Sequence, residues 1–207
     1  MIPATEALER LQDGNRRFIA GNPAGSDGIR SSRRTELVSG QNPFAVILGC
    51  SDSRVPAELI FDVGLGDLFV IRVAGNIAAP SHIGSVEYAV ERLGARLVVV
   101  VGHTMCGAVT AVVDGYGRSD TGKSPNFQVI ADFIQPTVDA LVTANPELVD
   151  DALLNRAVRA NIVASVECLR KESAILDQHL LDRDLIIAGA EYCLETGIVE
   201  FFDGIPV

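Results

Sequence analysis

The chain has 207 residues and a mass of 22.0 kDa, enough for one domain with one sizeable core. Apolar residues make up 48% and charged residues 21%, ordinary globular usage that excludes disorder as the main state. A net charge of −10 and a pI near 4.7 argue against nucleic acid as a partner, because counterion release from phosphates needs a basic face.

Residues 4–20 repeat apolar positions at helical spacing (Ala7, Leu8, Leu11, Phe18, Ile19), which predicts an amphipathic arm laid on the body of the domain or on a second subunit. Gly21, Pro23 and Gly25 end it, residues 21–35 read as a loop, and Thr35–Ser39 as a helical turn. From Pro43 the pattern changes to strand–helix alternation. The runs 44–48, 68–71, 97–101 and 185–187 are apolar on both faces, as buried parallel strands are. Residues 56–62, 82–93, 106–113, 126–143 and 147–180 read as mainly helical, with breaks at Pro136 and Pro146. A turn near Thr196-Gly197 leads into a last antiparallel strand at 198–202. The expected fold is α/β, an open and mostly parallel sheet flanked by helices, in a single domain with residues 1–40 as the arm and 43–207 as the core. No run reaches the roughly 18 apolar residues of a bilayer span, and Met1 to Phe18 lacks the order of a signal peptide, so the cytoplasm is the expected location.

Cysteines stand at 50, 106, 168 and 193 without a C-x-x-C pair, which does not suit a disulfide scaffold. Cys168 and Cys193 read as free thiols of the fold. Cys50 follows the first apolar run, and His103 and Cys106 follow the third, so parallel neighbouring strands would bring all three to one sheet edge, where open α/β sheets build their sites. Two sulfurs and an imidazole suit tetrahedral zinc, and a helix starting at Cys106 would favour its thiolate. Asp52, two residues from Cys50, is placed to bind the ion or a water on it, and Arg54 to hold that carboxylate in a bidentate pair; a plain loop salt bridge is the alternative for these two. A cysteine phosphatase loop is excluded, since the position that needs arginine is Pro56. Gly64-x-Gly66 and Ala74-Gly75-Asn76 do not complete a dinucleotide fingerprint.

The combination Cys50-Ser51-Asp52-Ser53-Arg54, Gly102-His103 and Cys106-Gly107 resembles the β-class carbonic anhydrase signature. The likeness runs from Leu11-x-x-Gly14-Asn15-x-Arg17-Phe18 through Phe69-Val70-Ile71-Arg72, Ala74-Gly75-Asn76 and Ser85-Val86-Glu87-Tyr88-Ala89-Val90 to the hairpin at Gly197. It implies one zinc ion on Cys50, His103 and Cys106, with Asp52 and Arg54 as a dyad orienting zinc-bound hydroxide for attack on carbon dioxide, and Asp52 as a fourth ligand in a closed form. It also implies substrate contacts from Gln41, Phe69, Ala74 and Gly107, and a homodimer or dimer of dimers whose pocket draws on two chains. Some members regulate themselves with a tryptophan-containing bicarbonate site, and this chain has no Trp. A hydrolase of carbon disulfide or carbonyl sulfide, or a sensing module with its zinc permanently closed by Asp52, would carry the same ligands. His82, His179, Tyr88 and Tyr192 are assigned no role in the chemistry.

Overall fold

In the computed structural model, which describes residues 2–23, 31–115 and 124–206, the valine- and isoleucine-rich runs meet in one sheet. Its strands are β1 (Ala45–Gly49), β2 (Leu68–Arg72), β3 (Leu97–His103), β4 (Ile186–Tyr192) and β5 (Val199–Asp203), in the order β2-β1-β3-β4-β5. β1 lies parallel to β2 and β3, β3 lies parallel to β4, and β5 returns antiparallel beside β4. Every residue of β1 and β3 is buried, because both strands are inside the sheet and both faces are covered. The fold is thus the α/β arrangement the sequence predicts.

Alternation along the strands divides the interior in two. Val46, Leu48, Val98 and Val100 point to a core shared with α4 (Pro80–Leu93), α5 (Gly107–Asp114), α6 (Pro125–Ala144), α7 (Asp150–Lys171) and α8 (Ala174–Leu181). Ala45, Ile47, Val99 and Val101 point to a second core with α1 (Ala4–Ile19) and the single turn of α3 (Ala57–Ile60).

The helical arm therefore has its home in its own chain. Ala7, Leu8 and Leu11 are buried against that second core. Gly14 lets the helix touch backbone, since a Cβ there would lie 1.8 Å from the Phe61 carbonyl oxygen. The buried Asn15 amide donates to the carbonyls of Ile60 (3.0 Å) and Gly197 (2.9 Å) and accepts from the Val199 N–H (2.9 Å), tying the arm to the β4–β5 turn.

Three local readings are corrected. A helix α2 (Ser31–Glu36) occupies the end of the stretch 21–35 expected as loop, and a 3-10 turn (Leu37–Ser39) continues it; residues 24–30 of that stretch lie outside the described ones. Pro136 sits inside α6 rather than breaking it, because it and Asp132 four residues earlier are on the solvent side, where water can take the freed carbonyl, while Ala131, Ile134 and Val138 keep the buried stripe continuous. The span 147–180 divides in two at Ser173, whose hydroxyl accepts from the Leu176 N–H and caps α8.

Gly49 of β1 is in register with Val101 of β3, so the residues after β1 and at the end of β3 leave the sheet at the same carboxyl edge. That edge carries the site.

Candidate metal centre

Cys50 is the first residue beyond β1, and His103 is the last of β3. The chain then turns through Thr104 and Met105, the latter at φ +57°, and Cys106 enters as the residue preceding the first turn of α5. This left-handed step lets His103 and Cys106, three residues apart, face one point. All three side chains are buried: Cys50 is 5%, Cys106 1% and His103 0% exposed. Their donor atoms lie within 4.8 Å of one another, and the two sulfurs are 4.0 Å apart. Two sulfurs at about 2.3 Å from a tetrahedral zinc are about 3.8 Å apart, so the spacing suits that ion with little adjustment.

The imidazole is set for ligation. A carbonyl can only accept, so the 2.9 Å contact between His103 Nδ1 and the Thr104 oxygen puts the proton on Nδ1 and the lone pair on Nε2. Nε2 is buried and has no hydrogen-bond partner, a costly orphan that a cation among the three donors would satisfy. The sulfurs are set likewise. The Cys106 thiol beside it holds Cys50 below the usual thiol range against the opposing effect of burial, with the Gly75 N–H helping. Cys106 is pushed up in turn by the Cys50 thiolate and by burial. The donor set fits zinc.

Beside the cluster, Arg54 holds Asp52 through both carboxylate oxygens: its N–H and Nε each lie 2.9 Å from Oδ1, and Nη2 lies 2.6 Å from Oδ2. Arg54 thereby keeps Asp52 ionised, well below the usual carboxylate range. The same Oδ2 is 3.8 Å from His103 Nε2, so the carboxylate borders the point the three donors face. Ala74 is half-buried next to Gly75, whose N–H donates to Cys50 Sγ at 3.4 Å. Gly107 is exposed at the start of α5, with open space where a Cβ would be.

Two of the predicted substrate residues are elsewhere in the chain. Gln41 is exposed and precedes β1 at its amino end, and Phe69 is in register with Val46, also near that end; neither is brought to this cluster by its own chain. Cys168 and Cys193 are free, and neither belongs to the donor cluster. Residues that sequence reasoning passed over complete the frame. Arg72 Nε donates to the Cys50 carbonyl (3.1 Å) and Nη2 to the Asp52 carbonyl (2.7 Å), so one guanidinium spans the Cys50–Asp52 loop. Its signal was a charge directly after an apolar strand at the site edge. Thr104 Oγ1 accepts from the Leu194 N–H and joins the His103 turn to the end of β4.

The chain is similar to known proteins along most of its length. Residues 45–199 match the family model described as carbonic anhydrase. A carbonic anhydrase of Mycolicibacterium smegmatis is 40% identical over 94% of this chain and 91% of its own length. The solved β-carbonic anhydrase CcaA superimposes with a TM-score of 0.74 at 28% identity, covering 95% of each chain. Two tetrameric β-carbonic anhydrases from Sordaria macrospora provide a match with a TM-score of 0.75 at 22% identity, over 95% of this chain and 97% of theirs, a likeness of fold. With its family match, its relatives and its cysteine–histidine–cysteine cluster, the chain belongs to the β-carbonic anhydrase family and is an enzyme of that type.

Proposed function

We propose that this chain hydrates carbon dioxide reversibly to bicarbonate and a proton at a zinc ion held by Cys50, His103 and Cys106, one ion per chain. The observation that carries this is the buried three-donor cluster with an unpartnered His103 Nε2, bordered by the Asp52–Arg54 pair. Zinc, when bound, acidifies a water and so supplies a nucleophile near neutral pH, less strongly with two thiolate donors than with three neutral imidazoles.

The chain's own residues do the rest. Asp52, kept ionised by Arg54, accepts a hydrogen bond from the attacking water and points its lone pair at the carbon. Arg54 also engages the carboxylate that would otherwise be free to bind the ion; its two-point grip on Asp52 supports this role and disfavours a permanently closed site. Carbon dioxide is apolar and asks for a small dry pocket, to which Ala74 contributes an apolar wall, while the N–H of Gly107, the first residue of α5, donates to the oxygen that gains charge. Gln41 and Phe69 come from a second copy, since their own chain carries them to the far end of β1 and β2; the tetrameric relatives support a homodimer or dimer of dimers. The packing of α1 on the second core supports reading the chain as one domain, with 1–40 as the arm and 43–207 as the core. Among the described residues no helix is long and apolar enough to cross a membrane. The free thiols of Cys168 and Cys193 fit a reducing compartment such as the cytoplasm.

The test is stopped-flow hydration over a pH series from roughly 6 to 9, around a metal-water pKa at or above about 7. Wild-type activity should climb through that range. Arg54→Ala should be slower and climb at higher pH, and Asp52→Asn should be slower with zinc retained. An Arg54→Ala profile that overlays wild type would leave the dyad a loop salt bridge.

A further inference from the structure

The turn after β2 approaches Cys50 with its backbone, and something must hold it there. Gly75 sits at φ +74° and ψ +15°, and its N–H donates to Cys50 Sγ at 3.4 Å. The turn is pinned on its strand side by β1, through Val73 N–H to the Gly49 carbonyl (3.1 Å) and Ser51 N–H to the Val73 carbonyl (3.2 Å). On the other side the carbonyl of Gly75 accepts from Asn161 Nδ2 at 2.7 Å. A side chain at Gly75 would be strained at this φ and would crowd Ile134, with a Cβ 2.8 Å from its Cδ1.

Asn161 is 2% exposed on α7, in a helix face otherwise buried through Ala157, Val158, Ile162 and Val166. An amide in such surroundings is costly unless it is paired. It reaches across 86 residues of sequence to that one carbonyl. Fixing the peptide that follows Gly75 sets the backbone torsion that aims the N–H on its other side. We propose that Asn161 is a positioning residue for the metal centre: through Gly75 it aims the N–H that Cys50 Sγ accepts, so that α7 orients the first sulfur ligand. This rests on Cys50 being a zinc ligand. The physical basis is that a hydrogen bond to a metal-bound thiolate fixes its direction and tempers its donor strength.

The experiment loads wild type, Asn161→Leu and Asn161→Ser with cobalt(II) and records the sulfur-to-cobalt charge-transfer band, then measures zinc affinity by chelator competition. Ser165→Ala is the control, since it removes another buried polar group from the same face of α7, one turn on. Both Asn161 variants should move the band to longer wavelength, as an unbraced sulfur donates more readily, and should bind zinc about tenfold more weakly; Ser165→Ala should do neither. Asn161→Ser is the milder cut and carries the comparison if Asn161→Leu does not fold. Wild-type band position and zinc affinity in the Asn161 variants would overturn the proposal while leaving the zinc site standing. Equal changes in Ser165→Ala would also overturn it, by tracing the effect to helix packing. A wild-type protein without a sulfur-to-cobalt band would instead remove the zinc reading on which the proposal rests.

Discussion

Cys50 contributes a sulfur that its neighbours have already prepared. A thiol of ordinary acidity would have to release its proton to solvent as the metal binds, whereas the Cys106 thiol and Gly75 N–H already favour the Cys50 thiolate. Cys50→Ser replaces that thiolate with a hydroxyl, a far poorer ligand, and should lose most of the bound zinc, as elemental analysis would show. Cys168→Ser should leave zinc content unchanged, because Cys168 is bonded to the Ala78 carbonyl and lies outside the cluster. At this scale the sequence was informative where chemistry is rare. A cysteine and aspartate after one strand, and H-x-x-C after another, can be read without coordinates. Arg72 left only a faint mark, a charge after an apolar run, and the roles of Gly75 and Asn161 left none, because each acts through a backbone group.

Elements hold these residues through a few buried polar ties. Asn15 makes three hydrogen bonds from α1 to α3 and the β4–β5 turn. Asn15→Ala leaves two carbonyls and an N–H short of partners and should cost about 2–4 kcal/mol, read as a lower urea midpoint with little change in slope. At the other end of the molecule His179 bridges α4 and the loop before β4, with Nε2 2.7 Å from Glu91 and Nδ1 2.9 Å from Asp184. Glu91 first, then Asp184, raise its pKa, opposed by partial burial and by Arg96, which also pairs with Asp184 at 3.1 Å. A raised folded-state pKa gives stability that is full below the unfolded value of about 6.5 and is lost as pH rises through the folded one. His179→Gln should therefore lower the melting temperature more at pH 5.5 than at pH 9, by up to about 4 °C for a tie worth about 1 kcal/mol. Equal shifts at both pH values would show that the charge of His179 is idle. The strands were legible because their apolar runs are short, β-branched and two-sided. The helix at Ser31–Glu36 was not, because Ser-Ser-Arg-Arg-Thr-Glu has no apolar stripe to betray it. The arm's docking was legible only as an amphipathic face without an address.

For the whole molecule, the sheet edge decides what one chain can do alone. Cys50, His103, Cys106, Asp52 and Arg54 are together in one copy, whereas Gln41 precedes β1 and Phe69 is near the amino end of β2, away from the edge that carries the cluster. If a second copy supplies them, two damaged chains can rescue each other. Cys50→Ser has no metal but a good Gln41, and Gln41→Ala has the reverse. Mixed and re-equilibrated, they should regain about a quarter of wild-type activity, since half the dimers are hybrids with one good site of two. No recovery from a mixture shown by sedimentation to exchange subunits would confine Gln41 to another task.

As proposed, carbon dioxide hydration by this chain depends on zinc in the three-donor cluster. Apoprotein titrated with zinc while stopped-flow hydration is followed tests it most directly. Activity should rise linearly to one zinc per chain and stop there in wild type, and should stay near the uncatalysed rate in Cys50→Ser across the same titration. Hydration that does not depend on zinc, or that rises in Cys50→Ser as it does in wild type, would contradict the account.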